Sequence, residues 1–323
     1  MRDADLLALC GTSVPSPTEP GTSYALEKVI GEGSHAVVFL AQRHGNDQAF
    51  PVVLKLLRPR AVRRSAALVA HTISKEVEAL KRLTAREPKP EFVVQFLDTG
   101  ILTLGSEALP LPWVVVEYVP GGDEGVTLRA RVLSSLVRSG HAFEPLRARN
   151  ALRCVIAGVA AVHEVGVIHR DVTPDNILAC ESPRGEIFKL ADFGIARVST
   201  ASTFGDVLLG TPGYCAPEQS FPEKVGVGAY SDVFGIACTA FFALTGEPYF
   251  HAPTVAETLV EVYAATRRSL QAARGLAPLL RTDDARCRSI DRVLSHATCP
   301  HPADRPQSAS EFGELLLPLL VPF

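Results

Sequence analysis

The sequence lacks any long apolar segment and any excess of basic residues. Its longest apolar stretches cover 233–244 and 315–323, and each is shorter than the roughly 20 residues that a membrane-spanning helix needs. The first ten residues, MRDADLLALC, are not typical of a secretory signal. The formal net charge is −3, so nucleic-acid binding is not expected. These absences predict a soluble, cytoplasmic chain without a membrane segment.

Cysteine pairs with metal-ligand spacing are also missing. Seven cysteines are scattered along the 323 residues, and no two of them have C-x-x-C spacing. An odd number without such pairs is atypical both of a disulfide framework and of a zinc site. Reduced, buried thiols are the simpler expectation, and Cys215 is expected to be an apolar filler rather than a redox group.

The residue pattern changes along the chain. Residues 11–23 are mostly polar and turn-forming, which predicts a flexible leader. Five β-rich runs and one helix are expected next, and a flexible joint then follows at 120–125. The runs cover 24–30, 36–43, 50–57, 92–99 and 113–119, the helix covers 63–83, and a surface loop is expected at 103–112. Beyond the joint, helices are expected at 127–139, 145–165, 229–244, 255–267, 285–297 and 309–316. The irregular stretch 166–228 is long for a compact domain, which favours a functional role.

A glycine-rich turn and a lysine in a strand are the first candidates for a site. Gly31 and Gly33 lie between two predicted strands, where glycine lets backbone N–H groups approach a phosphate. Lys55 lies among apolar residues of a strand, and a cation there needs a partner. In the next helix Glu76 is on the apolar, inward face, whereas Glu78 is on the wet face. Glu76 is therefore the better partner for Lys55. A plain hairpin and an edge-strand lysine remain the simpler alternatives for each feature alone.

The most specific group of polar residues lies at 169–176, HRDVTPDN, and is followed by DFG at 192–194. Mg²⁺ prefers hard oxygen ligands, which Asn176 and Asp192 supply. Asp171 can accept the proton of an attacking hydroxyl. A single Asp-x-Gly is common in solvated turns, so the order and spacing of the whole set matter more than any one member.

Together these motifs resemble the eukaryotic-like Ser/Thr protein kinases, and the resemblance covers nearly everything from 24 to 316. The residues chosen within the motifs are similar to those of a bacterial member of the family. The family's order is kept by the glycine loop, the lysine strand, HRDVTPDN, DFG, GTPGYCAPE at 210–218, SDVFG at 231–235 and DRP at 304–306. The resemblance implies an α+β, bilobal protein-kinase-like fold. A small antiparallel β lobe with one helix would be joined to a larger, mainly helical lobe.

The resemblance also implies an activity and the residues for it. The chain would transfer the γ-phosphate of ATP, with Mg²⁺ or Mn²⁺, to Ser or Thr hydroxyls of a protein. Asp171 would be the base, Asn176 and Asp192 would bind the metal, and Lys55, held by Glu76, would bind the α- and β-phosphates. The other implied ATP-site residues are Gly31 and Gly33 over the phosphates, Val38 and Val53 at adenine, Val116 behind the pocket, and the backbone of Glu117 and Val119.

The stretch 192–218 resembles an activation segment. Arg170 directly precedes the base, and an arginine there needs an anion. A phosphate on the segment is expected to order it, and Glu218 is implied to pair with Arg305 and anchor the helical lobe. The candidate phosphoacceptors are Ser199, Thr200, Ser202 and Thr203.

Three positions depart from the family pattern. Ala36 replaces the third loop glycine, which stiffens the loop. Val53 stands where the family usually has alanine, which predicts a tighter adenine pocket. Thr173 replaces the lysine that normally lies near the γ-phosphate, and a slower reaction is expected from that change.

The expected domain limits are a leader at 1–23 and a kinase domain at 24–320, divided into an N-lobe at 24–116, a hinge at 117–125 and a C-lobe at 126–320. A pseudokinase or very slow kinase that serves as a nucleotide-binding scaffold is one alternative. A small-molecule phosphotransferase is another, and a non-enzymatic nucleotide sensor has no positive support. The expected partners are protein substrates, and a second copy of the chain if it autophosphorylates.

Overall fold

The computed structural model describes residues 3–33, 36–45, 48–64, 77–78, 80–104, 109–183, 185–192, 211–220, 226–251 and 253–321. These residues form two compact units. The first unit contains the described residues up to Lys89 and those from Val94 to Tyr118. The second contains Pro90–Val93 and the described residues from Val119 onward.

The first unit is built on an antiparallel sheet. Its strands are β1 Ser13–Pro15, β2 Ser23–Glu32, β3 Ala36–Gly45, β4 Gln48–Leu57, β5 Phe96–Leu104 and β6 Leu109–Glu117, in the order β1-β2-β3-β4-β6-β5. The five predicted strands are present. The surface loop predicted at 103–112 is wrong in large part, because β5 and β6 pair as far as Leu104 and Leu109. Inward-facing Leu111 is fully buried there.

The flexible leader predicted at 1–23 is also wrong for its described part. Asp3–Leu9 forms a 3₁₀ helix, and β1 pairs with β2, with Val14 opposite Tyr24. Leu6 and Val14 are buried. Burial of these two apolar side chains stabilises the packing of a mostly polar segment on the sheet.

The helical part of the first unit is only partly described. α1 spans Pro59–Arg64, and residues 77–78 and 80–84 are helical. Val77, Leu80 and Leu83 are buried, as their helical spacing predicted. The residues between, Glu76 among them, lie outside the described part.

The second unit is mainly helical. Its described helices are α2 Leu128–Ser139, α3 Pro145–Glu164, α4 Ala229–Thr245, α5 Val255–Tyr263, α6 Pro278–Arg281, α7 Asp284–Ala297 and α8 Ala309–Leu316. α4 is buried from Ser231 to Thr245 and forms the centre of the unit, where it packs against α3, α7 and α8. All six predicted helices are present. The one predicted at 255–267 ends early at Tyr263, because Ala265 has a left-handed φ of 53°.

One hairpin lies in the stretch predicted to be irregular. β7 (Ile177–Ser182) pairs with β8 (Gly185–Leu190), and Ile177 stands opposite Leu190. Gly185 has a φ of 101°, a conformation that glycine adopts easily. The long stretch therefore contains a short regular element that fixes the position of the residues on either side of it.

Most of the cysteines are buried in the structure. All seven are free thiols, and five are buried, Cys215 among them. Burial raises the pKa of Cys287 to about 11, so this thiol stays protonated and unreactive near neutral pH. In the described part of the chain, no helix is long and apolar enough to cross a bilayer.

Candidate active site

The side chains assigned to ATP share one face of the sheet in the first unit. Val38 stands opposite Lys55 and Leu40 opposite Val53, while Val53 stands opposite Val116. All five are only partly buried. The alternate residues, on the other face, are fully buried: Val37, Phe39, Val52, Leu54 and Leu56. Because side chains alternate along a strand, the pairing register places the predicted residues together on the open face.

The glycine turn is closed by its own backbone and held by an arginine. The Gly33 N–H donates to the Ala36 carbonyl at 2.9 Å. Arg58 Nε donates to the Gly33 carbonyl at 2.9 Å, and its Nη2 donates to Glu32 Oε2 at 2.9 Å. Arg58 is only 6% exposed, and a buried guanidinium must be satisfied by such partners. Arg58, three residues after Lys55, was not predicted from the sequence, because its partners lie at the end of a different strand.

The Asp171 carboxylate is held on both oxygens. Asn176 Nδ2 donates to Oδ2 at 2.9 Å and also to the Asp171 carbonyl at 2.9 Å. Thr211 Oγ1 donates to Oδ1 at 2.7 Å. These bonds orient a partly exposed carboxylate as a positioned proton acceptor requires. Because its amide nitrogen binds Asp171, Asn176 offers its amide oxygen as a metal ligand.

The β7–β8 hairpin brings the two predicted metal ligands near each other. Asn176 directly precedes β7, and Asp192 is the second residue after β8. The antiparallel pairing therefore places both residues at the same end of the hairpin. The Ala191 N–H donates to the Asn176 carbonyl at 2.8 Å, which extends the pairing beyond the strands. Both residues were predicted as metal ligands from the sequence, but the hairpin that aligns them was not predicted.

Two residues of this site have unusual backbone conformations. The φ of Arg170 is 65° and that of Asp192 is 63°, and such residues persist only where the surroundings hold them, at about 1–3 kcal/mol each. Asp232 braces the first: its Oδ1 accepts from the Arg170 N–H at 2.7 Å. Its Oδ2 accepts from the His169 N–H at 2.8 Å and lies 2.7 Å from His163 Nε2. The backbone just before Asp171, the predicted base, is thus held by the buried helix α4.

Thr173 and Thr211 have different positions around the base. Thr173, which stands where the family has lysine, is 2% exposed, and its carbonyl accepts from the Asn176 N–H at 3.1 Å. The hydroxyl that contacts Asp171 is that of Thr211. Thr211 belongs to the GTPGYCAPE motif, yet its contact was not foreseen because 40 residues separate it from Asp171.

The remaining predicted residues lie at the end of β6, at the start of the main segment of the second unit, in the partly described helix, or outside the described residues. Glu117 is the last residue of β6, and its N–H donates to the Gln95 carbonyl at 2.9 Å. Val119 begins the main segment of the second unit and is buried. Glu78 is exposed and pairs with Arg82, so its predicted position on the wet face is confirmed. Outside the described residues lie Glu76, Ser199, Thr200, Ser202 and Thr203.

The predicted pair of Glu218 and Arg305 is confirmed. The guanidinium donates to both carboxylate oxygens, at 2.8 and 3.0 Å, and the two side chains are 2% and 0% exposed. Ser231 Oγ donates to Glu218 at 2.7 Å, and Arg305 Nε donates to the Cys299 carbonyl at 2.7 Å. These extra partners satisfy the charges that a buried ion pair removes from water.

The donor set near the base fits Mg²⁺ or Mn²⁺. Among the described residues, no group of three His, Cys, Asp or Glu side chains is placed to hold a metal ion. Mg²⁺ needs only one or two protein oxygens and takes its other ligands from phosphates and water. Asn176 and Asp192 match that requirement.

Comparison with known proteins gives the family. The model of the protein kinase domain matches residues 24–312, and the chain therefore belongs to the protein kinase family. It is 31% identical over 251 residues to the probable serine/threonine-protein kinase PkwA of Thermomonospora curvata, covering 76% of this chain and 30% of that protein. It is 30% identical over 305 residues to the serine/threonine-protein kinase PknB of Mycobacterium leprae, covering 92% and 43%. The chain spans less than half of the length of these two relatives.

A solved structure supports the same fold. The crystal structure of the kinase domain of PknI from Mycobacterium tuberculosis superposes with a TM-score of 0.64 at 22% identity, covering 95% of this chain and 98% of that one. At this identity the likeness concerns the fold alone. The α+β, bilobal protein-kinase fold that the motifs implied is confirmed.

Proposed function

We propose that the chain transfers the γ-phosphoryl group of ATP to a Ser or Thr hydroxyl of a protein. The observation that supports this most is the Asp171 carboxylate, which accepts one hydrogen bond from Asn176 and one from Thr211. That arrangement aims a carboxylate at a hydroxyl and leaves Asp171 ready to take its proton as the O–P bond forms. Protein kinases depend on such positioning more than on covalent chemistry.

The other residues of the site bind and orient ATP. Asn176 and Asp192 supply oxygens for Mg²⁺ or Mn²⁺, which when bound would neutralise charge on the phosphates. Lys55 supplies a cation for the α- and β-phosphates, with Glu76 as its partner. Adenine would lie against Val38 and Val53 and meet the backbone of Glu117 and Val119, with Val116 behind it. The limits predicted for the lobes and hinge, a cytosolic location and protein substrates are part of the same proposal.

The pseudokinase alternative has little support in this chain. Lys55, Asp171, Asn176 and Asp192 are all present, and the hydrogen bonds of Asp171 to Asn176 and Thr211 support an active site. Thr173 in place of lysine favours a slower transfer, because a charge-assisted hydrogen bond to the moving phosphoryl group is missing. A slow but active kinase accommodates both observations.

We also propose that phosphate regulates the activation segment. Arg170 is exposed, and its backbone is fixed by Asp232 and by Gln219, whose Nε2 donates to the Arg170 carbonyl at 2.8 Å. An exposed guanidinium on a backbone anchored in this way suits a phosphate on a nearby Ser or Thr. The candidates remain Ser199, Thr200, Ser202 and Thr203, and self-association would allow one copy to modify another.

Replacing Asp171 by Asn tests the proposed activity. With labelled ATP and a generic basic protein, phosphotransfer is expected to fall by about 100- to 10,000-fold, which is the usual contribution of a general base. Asp175→Asn is the matched control, because Asp175 is in the same motif but is exposed and bound to Arg129 at 2.8 Å. Equal activity in wild type and Asp171→Asn, with unchanged circular dichroism, would reject the assigned base.

Arg58→Met is expected to weaken ATP binding because it frees the glycine turn. Loss of hydrogen bonds from a charged donor typically corresponds to about 1.5–3 kcal/mol, so KM for ATP is expected to rise by about tenfold or more while kcat changes less. Arg58→Lys should recover only part of the loss, because lysine lacks the planar fork of donors. Steady-state kinetics over a range of ATP concentrations measure both constants. An unchanged KM in Arg58→Met would show that the turn holds its shape without Arg58.

A further inference from the structure

The N-terminal strap, defined here as residues 11–22, lies outside the part of the chain that matches the family. It nevertheless contacts both edges of the sheet. β1 pairs with β2 at one edge, and the chain then continues to β5, at the opposite end of the strand order. The Ser16 N–H donates back to the Thr22 carbonyl at 2.9 Å, so the strap turns compactly where it meets β5.

A buried carboxylate fastens the strap to β5. Asp98 is 2% exposed, and one of its oxygens accepts from Ser16 Oγ at 2.6 Å and from Tyr24 Oη at 2.9 Å. The other accepts from Thr18 Oγ1 at 2.7 Å and from the Thr99 N–H at 2.8 Å. Every one of these groups donates a hydrogen bond to the carboxylate, and two of the donors belong to the strap.

The packing around this carboxylate leaves little room for change. A Cβ on Gly100 would lie 2.4 Å from the Trp113 ring and 3.1 Å from Pro17 of the strap. Tyr24 meets the Trp113 ring edge-on at 5.7 Å. Burial, and next the hydrogen bond to Asp98, raise the pKa of Tyr24, so Tyr24 stays a donor throughout the physiological pH range.

Thr18 is the accessible donor of this group. It is exposed, whereas Ser16 is half-buried and its Oγ also accepts from the N–H groups of Thr18 and Glu19. A phosphoryl group on Thr18 would turn the donor into an ester oxygen and add a charge of about −1.5 to −2 beside Asp98. The phosphate and the Asp98 carboxylate would then repel each other at the place of the present hydrogen bond. Arg43, a cation next to the strap, is already paired with Glu19 of the strap.

We propose that Thr18 is a phosphoacceptor and that its phosphorylation releases the N-terminal strap from Asp98. In the modification, the bond from Thr18 Oγ1 to the γ-phosphorus of ATP forms as the bond from that phosphorus to the β–γ bridging oxygen breaks. ADP leaves, and the hydroxyl proton passes to the base of the kinase. The donor kinase is a second copy of this chain, and that part of the proposal rests on the proposed function.

The release is tested without relying on the activity of the chain. Phosphothreonine is installed at position 18 during translation, and amide hydrogen exchange is followed by mass spectrometry. Because loss of a hydrogen bond to a charged group shifts an opening equilibrium by about tenfold or more, exchange at Gly11, Ser16 and Leu26 is expected to speed up by that factor. These three N–H groups donate to Leu26, Thr22 and Thr12 carbonyls.

Two variants separate the effect of a phosphate charge beside Asp98 from the effects of a phosphate elsewhere on the strap and of a lost hydrogen bond. Phosphothreonine at 12 is the matched control, because Thr12 is an exposed strap residue whose hydroxyl donates to the Leu9 carbonyl instead, and it is expected to leave exchange at Ser16 unchanged. Thr18→Val removes the hydrogen bond without adding charge, and a smaller increase is expected. Equal exchange in the protein with phosphothreonine at 18 and the unmodified protein would overturn the release.

The acceptor is tested by mass spectrometry of wild-type protein incubated with ATP and Mg²⁺, with the Asp171→Asn variant as substrate. Phosphate on Thr18 of that variant is expected and would identify transfer between copies. Phosphate on other residues but none on Thr18 would overturn the assignment of the acceptor. No phosphate on any residue, in either protein, would count against the proposed kinase activity, while the exchange measurement still decides the release.

Discussion

Lys55→Met is expected to reduce phosphotransfer by about 1,000-fold, since loss of one fixed charge at a reacting phosphate commonly costs about 100- to 1,000-fold in rate. Lys55 lies on the partly open face of the sheet in register with Val38. Its removal is therefore expected to leave the fold intact and, in its proposed role, to deprive the ATP phosphates of a cation. The loss is expected in kcat/KM for ATP, measured by steady-state kinetics with saturating protein substrate.

The control for this substitution lies in the same sheet. Lys28 of β2 is exposed, and Lys28→Met changes the same charge and volume at a residue outside the set assigned to ATP. Near-wild-type kcat/KM is expected for it. Should Lys55→Met also keep that value, with its circular dichroism unchanged, the role assigned to Lys55 would be wrong and the pseudokinase alternative would gain weight.

Arg305→Met is expected to lower the free energy of unfolding by about 3–5 kcal/mol, because it leaves the Glu218 carboxylate buried without its counter-charge. The two side chains are almost completely inaccessible to water, so solvent cannot screen the remaining charge. The Arg305 guanidinium also lies 5.2 Å from the centre of the Phe234 ring, in the helix that forms the core. Urea unfolding followed by circular dichroism measures the change.

Two comparisons make this prediction specific. Arg288→Met removes the partner of Asp284 from a pair whose side chains are 65% and 59% exposed, and it is expected to cost less than about 1 kcal/mol. The double variant Glu218→Leu with Arg305→Met removes both charges and is expected to regain part of the lost stability. If Arg305→Met and Arg288→Met unfold at the same urea concentration, the buried pair is not an anchor.

Much of this fold could be predicted because local pattern and burial agree. The strand from Ala36 alternates partly open and buried residues, and α4 is apolar along its length and buried from Ser231 to Thr245. The hairpin at 177–190 was missed because its two short strands lie within a stretch rich in turn-forming residues. Periodicity over six residues is too short to separate a strand from a loop.

The site divides in the same way between predicted and unpredicted residues. Asp171, Asn176 and Asp192 could be predicted because motifs keep chemical residue types at fixed spacing. Thr211 and Arg58 were missed because each acts through contacts with residues distant in sequence. The strap was missed for a similar reason: its polar composition hides hydroxyls that bind a single buried carboxylate in another strand. Sequence alone does not show which polar groups meet.

The β7–β8 hairpin determines where the predicted metal site can tolerate inserted residues. Asn176 and Asp192 stand at its open end, and the strands between them are locked in register from Ile177 opposite Leu190 to Ser182 opposite Gly185. A residue inserted in either strand would shift one ligand along the hairpin and turn the following side chains to the other face. Residues added at the closed end, between Ser182 and Gly185, would lengthen the turn and leave both ligands in place. Natural variation in length should therefore collect at that turn and be absent from the strands.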